Sequence, residues 1–190
     1  MTRPLLFILF LLAASPAYSL DVDGRQYAPT IEIAGKTLHL VGGGVREATF
    51  LKIDVYRGVF YAEHAGCDFG RMVAADEVKL LRMDFVRDVG AKKQSEAMQE
   101  SFKKQTPRDA SPELRARIAT FLRVFDKDVD EGDGIEVRYV PNEGTTVRVN
   151  GKVRGATIPG HDFMQVMWNI WYGKETCCPH LFEDLKDTCK

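Results

Sequence analysis

The run Phe50 to Tyr61 alternates with a period of two. Leu51, Ile53, Val55, Val59 and Tyr61 fall on one face, and Lys52, Asp54, Tyr56 and Phe60 on the other. Side chains alternate in this way only in extended backbone, so the segment is a strand and not an amphipathic helix. Other segments share the pattern. Ile31 and Ile33 alternate with polar residues, Gly35-Lys36 marks a turn, and Leu38 to Val41 resumes the extended pattern, which reads as a hairpin. Gly42-Gly43-Gly44 is expected to break the chain before the long strand. Val78 to Arg87 is another strand, with Leu81, Met83 and Phe85 on one side. Strands return at Ile135 to Val140 and Thr145 to Val149. Asn150-Gly151, the strongest hairpin signal in the chain, leads into Lys152 to Thr157.

Between and after these strands the period changes to that of a helix. Ala91, Met98 and Phe102 share a face between Ala91 and Lys104. Ser111-Pro112 is a helix start, with Ser as the cap and Pro in the first turn. Leu114, Ile118, Phe121, Leu122 and Phe125 then form a core-facing stripe. Phe163, Val166, Met167, Ile170 and Trp171 recur at helical spacing up to Gly173, and the tail from Lys174 has room for one short helix. No repeat, low-complexity tract or linker interrupts the chain. Strands, helices, strands, then helix argue for an α+β fold, an antiparallel sheet with helices packed on it.

The first segment carries the layout of a cleavable export signal. Arg3 precedes the apolar run Leu5 to Ala14, and Ala17-Tyr18-Ser19 offers small residues before a cut at Leu20. That run is too short to span a bilayer, which takes about 20 residues. The expected organisation is a signal over 1–19 and one domain over 20–190, exported to the periplasm or the exterior. Arg3 is the signal's only charge, so the remainder has 25 basic and 27 acidic residues, or −2. No long-range attraction to nucleic acid or an anionic membrane follows from that balance. No second apolar segment is long enough to form a transmembrane span.

Four cysteines remain, Cys67, Cys177, Cys178 and Cys189, and an even count in an exported chain points to two disulfides. Three pairings exist. A direct Cys177–Cys178 bridge is the least expected, because adjacent residues close a strained ring. His64 and His180 lie near these cysteines in sequence, but neither Cys-x-x-Cys nor His-x3-His spacing occurs, so no metal site is assigned. Haem-attachment spacing is absent as well. The chain holds no Gly-x-Ser-x-Gly elbow, phosphate loop or His-Glu-x-x-His, so no catalytic residue or cofactor is assigned. Glu131-Gly132-Asp133-Gly134 resembles half a calcium loop without its later Glu, and reads as a turn before Ile135.

One series of segments is more specific. Gly42-Gly-Gly-Val-Arg46 leads into Lys52-Ile-Asp-Val-Tyr-Arg-Gly-Val-Phe-Tyr61. Phe85-Val-Arg-Asp88, Gly132-Asp-Gly-Ile-Glu-Val-Arg-Tyr-Val-Pro141, Gly144-Thr-Thr-Val147 and Asn150-Gly151 follow. Asp162-Phe163 and Ile170-Trp-Tyr-Gly173 close it. In this order and spacing the chain resembles the chalcone-isomerase-like family, in its bacterial exported branch, from about Thr30 to Gly173. The Cys-containing tail falls outside the resemblance.

The resemblance implies an open-faced β-sandwich, an antiparallel sheet with helices on one face and a ligand cleft between them. The family includes isomerases that close a flavonoid ring and non-catalytic relatives that bind fatty acids. Both use an Arg in the glycine-rich segment to hold an oxyanion or carboxylate, and Arg46 matches that position. Isomerases add a Thr on the next strand, where this chain has Tyr56, and a Tyr on a following helix, near which it has Lys93. The resemblance therefore implies Arg46, Tyr56 and Lys93 as ligand-binding residues, and a small amphipathic anion such as a fatty acid as the partner. An isomerase acting on an enone, or a structural protein without ligand, is the alternative. A guanidinium fork suits the first reading, since it keeps its charge in an apolar cleft and offers several donors to one carboxylate.

Overall fold

A computed structural model of the chain describes residues 19–48 and 52–189. The expected signal, apart from Ser19, lies outside the described residues. Seven strands form one antiparallel sheet in which each pairs with the next in sequence. They are β3 (Thr30–Ile33), β4 (Lys36–Ala48), β5 (Ile53–Ala62), β6 (Lys79–Phe85), β7 (Gly134–Val140), β8 (Gly144–Val149) and β9 (Lys152–Ile158). A separate hairpin, β1 (Leu20–Val22) and β2 (Arg25–Tyr27), covers part of one face. The helices α1 (Phe69–Ala74), α2 (Ala91–Gln105), α3 (Pro112–Leu122), α4 (His161–Tyr172) and α5 (Pro179–Thr188) cover the other. The curled sheet with one helical layer is the α+β open-faced architecture expected from the sequence.

Local chemistry accounts for most boundaries. Ser111 caps α3, its hydroxyl accepting from Leu114 N–H at 3.1 Å, with Pro112 in the first turn. Asn150 and Gly151 have φ of 48° and 77°, the double left-handed turn that suits a two-residue hairpin. Asp23 and Gly24, at 49° and 76°, do the same for β1–β2. That hairpin was not expected, because strands of three residues are too short to show a period, although Asp-Gly itself is a turn signal. Asp133 organises the turn before β7, accepting from Asn150 Nδ2 at 2.7 Å and from Asp130 N–H at 3.0 Å. Those bonds hold its carboxyl below the usual range, the Asn150 bond contributing most.

Two expectations are corrected. Gly42-Gly43-Gly44 does not break the chain. It lies inside β4, which runs on to Ala48 and pairs with β5 from His39 onward, with irregularities between Leu40 and Gly42 and between Arg46 and Glu47. The glycines serve close approach: a Cβ on Gly44 would lie 2.2 Å from Asp184 Cβ of α5. The disulfide pairing is also corrected. Cys67 bonds Cys189, with Cα atoms 5.7 Å apart, and the remaining partners are the adjacent Cys177 and Cys178. The reason lies in the path of the tail. Docking α5 on β4 carries Cys189 to the loop after β5, where Cys67 sits, and leaves the other two cysteines together at the α4–α5 joint.

Burial follows the faces of β5 except at Val55, which joins the helix-side core beside Tyr56 where the pairing with β4 is irregular. Tyr56, Phe60 and Ala62 belong to the helix-side core, and Val59 and Tyr61 to the hairpin-side core. The face that mixes polar and aromatic residues is thus the one under the helices. Phe102, Phe121 and Phe163 bring α2, α3 and α4 together, with ring centroids 5.3–6.0 Å apart. Burying an aromatic side chain of this kind stabilises by roughly 1.5–3 kcal/mol.

Candidate functional site

The row Gly42, Gly44 and Arg46 on β4 faces the helical layer, and α5 lies along its glycine part. Thr188 Oγ1 accepts from Gly43 N–H at 3.0 Å and donates to Gly43 O at 2.9 Å. Asp184 Oδ2 accepts from Val45 N–H at 3.1 Å. Leu181 packs over Gly58 of β5, where a Cβ would meet its side chain at 3.0 Å. The tail helix is therefore bonded to strand backbone at Gly43 and Val45, along a row whose glycines leave room for it.

Arg46 comes next in that row, beyond the glycines. It pairs in register with Tyr56 of β5, and its guanidinium carbon stands 5.9 Å from the Tyr56 ring centroid. A guanidinium at that distance from a phenol face gains a cation–π attraction. Arg46 is half-buried, and among the described residues no carboxylate lies within ion-pair distance of it. Glu47 follows beyond a bulge, with Nε2 of His180 on α5 3.9 Å from its Oε2.

Tyr56 is buried, and its hydroxyl accepts from Trp171 Nε1–H at 3.1 Å. Cys178 Sγ lies 3.7 Å from the same oxygen. A disulfide sulfur carries no proton, so Tyr56 is the donor there, a weak bond. Burial pushes the phenol above its ordinary range, opposed by the Arg46 charge and then by the Trp171 bond. The group stays a neutral phenol with a proton free to move from sulfur to a better acceptor.

The third expected residue is placed elsewhere. Lys93 is exposed on α2 and makes no hydrogen bond or ion pair among the described residues. Trp171 and Cys178 are the neighbours that sequence reasoning did not assign to the site. Trp171 reads there as core, and Cys178 as a disulfide partner of unknown place. His64 bonds Glu77, at 2.6 Å from Nδ1 to Oε2, and His180 stands over Glu47, so neither joins a cysteine.

The model of the family described as chalcone isomerase-like matches residues 19–187. The chain belongs to the chalcone isomerase-like family. The match extends beyond the range expected from the motifs, taking in the β1–β2 hairpin and nearly all of the tail with α5. Among solved structures the chain is similar to an Arabidopsis thaliana fatty-acid binding protein. The TM-score is 0.71 at 19% identity, over 90% of this chain and 96% of that one. At that identity the likeness establishes the fold. No curated protein matches the chain in sequence.

Proposed function

We propose that the protein is an exported binder of a fatty acid or a similar amphipathic anion, whose head group Arg46 and Tyr56 hold. The observation that carries this reading is the half-buried Arg46, without a carboxylate partner among the described residues, set over a buried neutral phenol. A guanidinium in that setting has donors to spare for a ligand carboxylate. Family membership and the fatty-acid binding protein of the same fold support the same class of ligand. The exposed position of Lys93 favours binding over ring closure, which needs a second rigid group beside the reacting oxygen. The signal-like layout of residues 1–19 in the sequence and the two disulfides support an oxidising compartment.

The test is titration with laurate, followed through the amides of Val45, Tyr56 and Gly58 by NMR. Arg46→Ala should weaken the effect at these amides about 10- to 100-fold, the value of a hydrogen bond to a charged group. Arg46→Lys should recover only part, since it keeps charge and loses the fork. Equal affinity in wild type and Arg46→Ala at these amides removes Arg46 from the site and ends this reading.

A further inference from the structure

A second feature with the character of an amphiphile site lies on the outer side of the helical layer. Between α2 and α3 runs a groove of about 440 Å³. Its floor is apolar: Phe102 and Ile118 are buried, and Leu122 is partly buried beside them. Its rim is cationic, carrying Lys103, Arg108 and Arg115, and no carboxylate lines it. The chain as a whole has a net charge of −1, so three positive charges around one apolar floor, with no carboxylate in the lining, are a local concentration and not a general basic surface.

The three cations differ in what they do. Arg115 donates to the carbonyls of Arg108 at 2.9 Å, Ala110 at 3.2 Å and Pro107 at 3.4 Å. It thereby fixes the α2–α3 turn and adds a charge that those neutral oxygens leave uncancelled. Lys103 and Arg108 are exposed, and neither is in an ion pair among the described residues. Helix surfaces ordinarily place an acid three or four residues from a Lys, as Glu100 does for Lys104 at 3.6 Å. Glu100 also stands three residues before Lys103 but pairs with Lys104 instead, and the residues four before and four after Lys103 are Gln99 and Pro107.

We infer that the α2–α3 groove is a binding site for a single-chain amphiphile with an anionic head. The chain would lie on Phe102, Ile118 and Leu122, and the head would rest between Lys103 and Arg108. The volume falls in the range of small-molecule sites. The apolar floor gains from each methylene covered, and the cations select the sign of the head. This site is separate from Arg46 and uses none of its groups, so it stands whether or not Arg46 binds a ligand.

The experiment maps laurate, below the concentration at which it forms micelles, on the isotopically labelled protein by amide shifts. Laurate should move the amides of Phe102, Lys103, Ile118 and Leu122, and dodecanol should do so far more weakly. The double substitution Lys103→Glu/Arg108→Glu, on exposed positions, should weaken laurate at these amides about tenfold or more. Arg46→Ala should leave them unchanged, which separates this site from the one proposed above. Equal shifts with laurate and dodecanol would overturn the inference, as would a charge-reversed variant that binds like wild type. Binding to phosphatidylglycerol vesicles with no response to free laurate would overturn it in favour of a membrane-docking surface.

Discussion

The two faces of the sheet are buried by different means. On the helix side, Phe60, Phe102, Phe121, Phe163 and Trp168 are all within 2% of complete burial, and four long helices exclude water from them. On the other side a hairpin of two three-residue strands packs on a smaller cluster, Ile33, Leu38, Val59, Tyr61, Val78 and Leu80. Beyond that small cluster the face is a ladder of alternating charge. Arg25 and Arg82 stand 3.4 and 3.1 Å from Asp84, Arg82 is 3.9 Å from Glu136, and Glu136 pairs with Arg138. Each side also holds one buried charge. Lys79, on the helix side, donates to the neutral carbonyls of Met72 and Ala75. Asp84, on the hairpin side, accepts from Tyr27 Oη at 2.7 Å and faces two guanidinium groups. Thick cover makes a core mainly from apolar contact and meets its one buried lysine with neutral carbonyls, whereas thin cover is sustained by ions that neutralise one another.

The contrast can be broken in three ways. Trp168→Ala should cost the most, about 3–5 kcal/mol in denaturant unfolding, because the helical layer cannot collapse into so large a void. A loss under about 1 kcal/mol would mean that the helix side is not a cooperative core. Lys79 comes next. Burial lowers its pKa from 10.5 to about 8, partly opposed by the charges of Glu77 and Asp76. Its folded value lies below its unfolded one, so between those values the unfolded chain binds more protons. Stability should therefore rise with pH from about 8 towards 10.5, by up to about 3 kcal/mol. Lys79→Met should remove that rise, and an identical pH profile in both proteins would refute the depressed value. The smallest effect belongs to Asp84→Asn, about 1–2 kcal/mol, since the flanking guanidinium groups are partly exposed and water replaces some of what is lost. A loss as large as that of Trp168→Ala would erase the difference between the faces.

The architecture was legible wherever a period ran long enough to be counted. The stripe of α3 and the Asn150-Gly151 turn stand where the sequence puts them, and so does the alternation of β5 apart from Val55, with Phe50 and Leu51 outside the described residues. What escaped were contacts made at long range. Glycine at 42–44 reads locally as a weakness in a strand, and only the tail helix, more than 130 residues on, shows why side chains are excluded there. The same holds for Tyr56. Its place opposite Arg46 follows from the strands, while its bond to Trp171 depends on how α4 crosses the sheet. The cysteines show the limit most plainly, because pairing depends on the path of the tail and spacing carries no record of it.

That path has a bearing on how the molecule reaches its native state. The bonds Thr188 to Gly43 and Asp184 to Val45 join residues 145 and 139 positions apart. Contacts of such separation carry a large loop-closure entropy and belong to the slow end of folding. Strand β4 can pair with β5 early, as a local hairpin, yet its glycine strip stays bare until α5 arrives. During that interval it offers unoccupied backbone and the apolar side chains around Gly58 to any other chain. The Cys67–Cys189 bond, with a separation of 122, then turns a late and reversible docking into a permanent one. Oxidation is thereby the step after which a helix that lifts off the glycine strip stays tethered beside it.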